Sequence, residues 1–193
     1  MISQSTFRRE QQVLEAALDL FVRNGFHGTP TSKIAAQAGV SNGTLFHYYK
    51  TKDELVIALY NRIKEEMANH VALKISEQDP LETKFKNSFL HSLYWALVNR
   101  EEFHYIQQFH FSPHLAKISP EVISEQSKFH LQLIAAGLEA EILKPLPVDL
   151  IFALVSSHVF GLYQYLANAD FPADQQEVTI ERGFELLWRM ITV

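Results

Sequence analysis

The sequence predicts an all-α protein, on three observations. Apolar residues recur at three- and four-residue spacing in segment after segment of the 193-residue chain, which is the period of a helix with one buried face. No stretch shows the strict apolar-polar alternation of a half-buried strand. The interruptions fall at glycine and proline, where a helix stops most easily. The architecture expected is an N-terminal three-helix unit, residues 1–52, followed by a larger helical domain, residues 53–193.

The first helix is expected over residues 6–24, with Val13, Leu14, Ala17, Leu20 and Phe21 on one face and Gly25 as its stop. Thr31 is expected to cap a second, short helix through its hydroxyl. Ile34, Ala35 and Ala38 give that helix an apolar stripe, and Gly39 ends it with the left-handed backbone of a C-cap. Ser41 then restarts the chain as the next N-cap, and Leu45 points back to the bundle. Ala35 supplies the small side chain that lets two short helices approach closely. Residues 31–50 therefore read as a helix-turn-helix whose second helix begins at a surface built to face DNA.

A fourth helix is expected over residues 51–77. Thr51 and Glu54 form a capping box, and Leu55, Ala58, Leu59, Ile63 and Met67 keep the period. Gln78, Asp79 and Pro80 break it. Helices over 81–99 and 101–109 follow, then a loop punctuated by Pro113 and Pro120, then helices over 120–141, 148–168 and 174–192. Breaks at 144–147 and 169–172 separate the last three.

Composition bounds the function. Hydrophobic content is 47% and charged content 20%, so the chain can bury a core. It has no cysteine, which removes disulfides, thiolate nucleophiles and Cys-based zinc sites. The N-terminal residues carry no apolar signal region, and no run approaches 18 uninterrupted apolar residues, so a cytoplasmic protein without a membrane segment is expected. The net charge is −5, but it is unevenly spread. Residues 1–60 carry +1, leaving −6 on the remainder, and residues 31–52 hold three lysines and no acid. A positive end on an acidic body suits an approach to phosphates.

Several features from Val13 to Leu59 agree in order and spacing. They are Asn24-Gly25-Phe26, Thr31, the run Ile34-Ala35-Ala36-Gln37-Ala38-Gly39-Val40-Ser41, then Gly43-Thr44-Leu45-Phe46, Lys52 and Glu54-Leu55. This stretch resembles the N-terminal DNA-binding domain of the TetR family of bacterial transcription regulators. The resemblance covers about a quarter of the chain. It implies an N-terminal helix-turn-helix DNA-binding domain and a C-terminal helical domain for ligand binding and dimerisation. The activity it implies is that of a transcription regulator, a ligand-released repressor that binds a palindromic DNA operator as a dimer. A DNA-binding protein of the same fold without an effector is one alternative, and a histidine-based metal enzyme is the other.

With Ser41 as N-cap, Asn42, Gly43 and Phe46 lie on the exposed side of the second helix. Asn42 can donate and accept on base edges, as asparagine does with adenine. Gly43 lets the backbone approach a base, and Phe46 can pack on a thymine methyl. The family usually has tyrosine at the position of Phe46, so a hydrogen bond there is lost. Thr44 lies within the matched run, and the resemblance places His47 and Tyr48 against the DNA backbone, whereas plain packing accounts for Tyr49. Lys52 adds charge beside a helix start, and Thr31, Ser32 and Lys33 form a second such start, both favourable for phosphate.

Residues 85–111 contain eight aromatics where the chain average predicts about three. Phe89, Trp95, Phe103 and Phe109 are therefore candidates for a pocket that takes a small apolar or aromatic effector, oriented by His91 or His104. No metal or cofactor is expected: His110 and His114 have helical spacing, but Pro113 interrupts them and no carboxylates complete a set. There is no nucleophile elbow, no zinc-protease motif and no phosphate-cradling glycine loop, so no enzyme is expected. The helices from Val148 to Asn168 and from Asp174 to Thr192 are too apolar for one chain to cover, and a homodimer through them is expected. Gly161, mid-helix, is expected at a close helix approach.

Overall fold

The computed structural model describes residues 4–169 and 171–193. Residues 1–3 of the expected first domain and Asp170 of the expected break at 169–172 lie outside the described residues. The described chain is helical nearly throughout. Its helices are α1 (Gln4–Asn24), α2 (Thr31–Gln37), α3 (Asn42–Tyr48), α4 (Lys52–Ala72), α5 (Leu81–Val98), α6 (Arg100–His110), α7 (Pro120–Glu139), α8 (Val148–Ala167) and α9 (Ala173–Ile191), with a 3₁₀ turn at Leu115–Lys117. Among the described residues, extended backbone pairs in one bridge, between Leu143 and Thr192.

The chain folds as two compact units that differ from a division at residue 52. One comprises residues up to 65 together with 100–119, and the other comprises 66–99 and 120–193. The reason is hydrophobic. Helices α1 to α3 leave Phe21 and Phe26 needing cover, and α6 supplies it. Tyr105 is fully buried, with its ring 6.2 Å from Phe21 and 5.5 Å from Phe26. Its hydroxyl donates to the Val56 carbonyl at 2.9 Å, which ties α6 to α4. Phe109 stacks on Tyr60 with 3.9 Å between ring centres, and Gln108 donates to the Val22 carbonyl at 3.3 Å. Burial raises the Tyr105 hydroxyl well above its ordinary pKa, keeping it a donor.

Two helix ends differ in kind from expectation. Pro30, not Thr31, occupies the N-cap of α2, and no side chain caps it. Proline's fixed φ of −67° already sets the extended entrance to the helix. Helix α4 stops at Ala72 rather than near residue 77. Beyond it the Ser76 N–H donates to Asp79 Oδ2 (2.9 Å) and the Gln78 N–H to Ser76 Oγ (3.3 Å). These local side-chain acceptors compete with the helical ladder. Helix α4 is otherwise unbroken across the boundary at 65/66.

In the other unit α5, α7, α8 and α9 share a core. Phe85 and Phe184 both meet the Trp188 ring, at 5.3 and 5.7 Å, and Phe89 lies 5.8 Å from Phe184. The close approach of α8 to α9 occurs at Gly183, where a Cβ would collide with Leu162. Gly161, expected at a close helix approach, faces open space within the chain. The end of α9 is held by Lys144, whose N–H donates to the Ile191 carbonyl (2.8 Å) and whose ammonium donates to the Met190 carbonyl (2.8 Å). A cation suits the negative end of a helix.

If α6 completes the N-terminal core, residues 1–52 alone cannot fold. That fragment is expected to show no cooperative thermal transition. Phe109→Ala in the full chain is expected to cost about 3–5 kcal/mol by urea denaturation, the usual price of deleting a buried aromatic.

Candidate nucleic-acid interface

The two short helices are set by their junction. Gly39 takes a φ of +67°, a region glycine enters without the steric cost of a Cβ. Its N–H donates to the Ala36 carbonyl (3.2 Å), and the Val40 N–H reaches back to the Ala35 carbonyl (3.0 Å). These two bonds are the pair of a Schellman C-cap. Two residues later Ser41 starts α3, its Oγ accepting from the Thr44 N–H at 3.0 Å. The Thr44 hydroxyl sits 2.9 Å from the same oxygen, so Thr44 serves the cap. Buried Leu45 fixes which side of α3 faces inward.

The opposite side is open. Asn42, Gly43 and His47 are exposed, and the Phe46 ring keeps 40% of its surface in solvent. Asn42 and Phe46 are one turn apart on that face. Tyr48 is half-buried with its ring edge-on to His47 at 5.7 Å. On α2, Ser32 and Lys33 are exposed and Thr31 is half-buried.

Two long-range ties hold this arrangement. Tyr49, buried as expected, donates its hydroxyl to Glu10 Oε1 at 3.1 Å. Gln37 donates to Asp19 Oδ2 at 2.8 Å. The C-terminal end of each of the two short helices is thereby fastened to α1. Desolvation, with Glu10 adding to it, pushes the Tyr49 hydroxyl far above its ordinary range, so it stays a donor.

The start of α4 departs from a simple capping box. Thr51 caps forward to the Glu54 N–H (3.1 Å), but Glu54 reaches back to the Lys50 N–H (2.7 Å) rather than to Thr51. Lys52 is half-buried, with its ammonium 6.0 Å above the Phe21 ring. Burial lowers its pKa against the opposing pull of Asp53. Asp53 is itself gripped from the segment after α6. Lys117 Nζ lies 2.6 Å from its carboxylate, and His114 Nδ1 lies 3.3 Å away without forming a hydrogen bond. The Lys117 contact draws the Asp53 carboxyl below the ordinary carboxylate range. Neither this clasp nor the Tyr49–Glu10 bond has a local sequence signal, because the partners stand 64 and 39 residues apart.

The six residues expected to form an effector pocket fall in both units. Phe103 and Phe109 are buried in the unit that contains the helix-turn-helix, and His104 is exposed beside Gln108 (3.1 Å). In the other unit Phe89 and Trp95 are buried. His91 is half-buried, with its ring 6.3 Å from His70 and 5.7 Å from Tyr94. Burial lowers the pKa of His91, favouring its neutral ring.

The histidines give the fold a pH dependence of definite sign. Desolvation lowers the folded-state pKa of His114, His110 and His91 below the ordinary 6.5. As pH falls through 6.5 the unfolded chain takes up protons that the folded chain refuses, so stability is full above that pH and is lost below it. The melting temperature is expected to hold steady above about pH 7 and to fall between about pH 6.5 and 5. His114→Gln is expected to flatten the decline. A melting temperature that rises on acidification to pH 5 contradicts this assignment.

With the geometry established, known proteins give the comparison. Residues 13–59 match the model of the bacterial regulatory proteins, tetR family. A fatty acid metabolism regulator protein of Bacillus subtilis is 40% identical over 60 residues, 31% of this chain and 29% of that protein. The chain thus matches under a third of that relative's length. An HTH-type transcriptional regulator of Haemophilus influenzae is 25% identical over 182 residues, 94% of both chains. A crystal structure of a tetR family transcription regulator from Shewanella sp. PV-4 superposes with a TM-score of 0.89 and 28% identity, over 96% of this chain and 98% of that one.

Proposed function

From a chain that belongs to the tetR family of bacterial regulatory proteins, we propose a cytoplasmic transcription regulator that binds a palindromic DNA operator as a homodimer. The observation that carries this reading is the Ser41-capped helix α3, anchored by Leu45 and open along Asn42, Gly43, Phe46 and His47. Asn42, Gly43 and Phe46 read bases in the major groove. Thr31, Ser32, Lys33, Thr44, His47, Tyr48 and Lys52 set the register on the backbone, with Thr44 acting also through the cap. Lys52 contributes less than an exposed lysine, because part of its reach lies over Phe21.

Dimerisation uses α8 and α9. By length and composition α8 could cross a membrane, yet its apolar surface has a simpler use. Leu150 and Tyr165 of α8 and Val178, Leu186 and Met190 of α9 are exposed, and Gly161 leaves room for a neighbouring helix. Two copies packing these faces bury them and supply the two-fold axis a palindrome requires.

The effector is a small apolar or aromatic molecule held against Phe89, His91 and Trp95, and its binding releases DNA. Release requires tighter binding to the non-operator conformation, since equal affinity for both states shifts nothing. The complete burial of Phe103 and Phe109 favours a second reading, regulation without an effector. Screening apolar compounds for thermal stabilisation, then measuring operator affinity with each hit, separates the two.

Bound fragments selected from genomic DNA are expected to share an inverted repeat. Asn42→Ala is expected to lose about 1–3 kcal/mol of discrimination at one base position per half-site. An equal loss on operator and random DNA removes Asn42 from base reading. Gly161→Leu meets open space within its own chain, so the helix content is expected to stay while the dimer dissociates. Light scattering checks this, and a wild-type monomer under the same conditions defeats the dimer proposal.

A further inference from the structure

The distribution of counter-charges in the N-terminal unit marks a second part of the nucleic-acid surface. Of the cations in residues 1–60, Arg23 is paired with Asp19 at 2.6 Å, and Lys52 is half-buried beside Asp53. Four of the five acids are similarly engaged, the fifth, Glu15, being exposed on α1. Asp19 holds Arg23 and Gln37, Glu10 accepts from Tyr49, Asp53 holds Lys117, and Glu54 caps the Lys50 N–H. Arg8, Arg9, Lys33 and Lys50 remain exposed, with no acid partner among the described residues.

These four are not scattered over the unit. Lys33 opens α2 and Lys50 follows α3. Arg8 and Arg9 precede Glu10, the residue that Tyr49 grips at 3.1 Å as the chain leaves α3. With a helical rise of about 1.5 Å per residue, the two arginines stand within roughly 3 Å along α1 of that tie. Unpaired positive charge thus lies at the start of α2, just after α3 and on α1 next to the residue tied to Tyr49, and half of it comes from outside the helix-turn-helix.

We propose that Arg8 and Arg9 bind the DNA phosphate backbone beside the segment read by α3, extending the interface onto α1. The inference rests on the DNA-binding reading above. Guanidinium groups suit this role because they present several donors to phosphate oxygens in a fixed fork. The contacts raise affinity without choosing sequence, since phosphates carry no base information.

The test is the salt dependence of binding, measured with full-length protein on the selected operator and on a duplex of random sequence. Each phosphate contact contributes a slope of about 0.9 in log affinity against log salt. R8A/R9A is therefore expected to lose roughly 1.8 in slope per protomer, so that the affinity lost between 50 and 200 mM salt shrinks about tenfold per protomer. Both duplexes are expected to weaken by the same factor. R8K/R9K is expected to restore most of the slope, which a purely structural role would not do. Unchanged melting curves show that the variant folds. Should R8A/R9A misfold, R8Q/R9Q replaces it with the same expectation. If wild-type protein binds neither duplex, the DNA-binding reading falls and takes this inference with it. If wild-type binds and the variants keep its slope, the DNA-binding reading stands and the arginines lie off the DNA.

Discussion

The burial of Phe21 and Phe26 is the constraint on which the N-terminal unit depends. Helices α2 and α3 have seven residues each, too short to persist without tertiary packing. Their stability comes from the core beneath them, and α1 to α3 cannot build it alone. Tyr105 and Phe109 of α6 complete it, with the Tyr105 hydroxyl tied to α4. Once that core closes, Leu45 and Tyr49 hold the inner side of α3, and the outer side follows as the remaining face of a short helix.

The same packing bears on the regulation proposed above. Segment 100–119 belongs to the unit that carries α3, although it stands between α5 and α7 of the other unit in sequence. Its Lys117 and His114 meet Asp53 in the first turn of α4. An effector that altered the course of this segment would act on residues adjacent to the reading helix with few intermediates.

The helix-turn-helix was legible in the sequence because its determinants are local. Gly39, Ser41 and Leu45 act within a few residues of themselves, and the structure uses each as its residue type suggests. Thr31 misled because Pro30 before it provides the extended entrance to the helix. A mid-helix glycine such as Gly161 signals a close approach without naming the partner, and inside the chain it is Gly183 that lies against a neighbouring helix. The unit boundary was not legible at all. It depends on which apolar face covers Phe26, and residue 26 meets residues 105 and 109 only in the folded chain. The aromatic cluster at 85–111 divides between two cores, Phe89 and Trp95 in one and Phe103 and Phe109 in the other, a division that residue spacing alone does not reveal.

The central claim is that the open face of α3 reads the major groove twice, once per protomer of a symmetric dimer. Footprinting of the selected operator with hydroxyl radicals, combined with interference by methylation of guanine N7, tests it directly. The account predicts two protected patches about 34–36 Å apart, with methylation inside each patch blocking binding, because N7 lies in the major groove. A single protected patch, or protection that N7 methylation leaves untouched throughout, would contradict it.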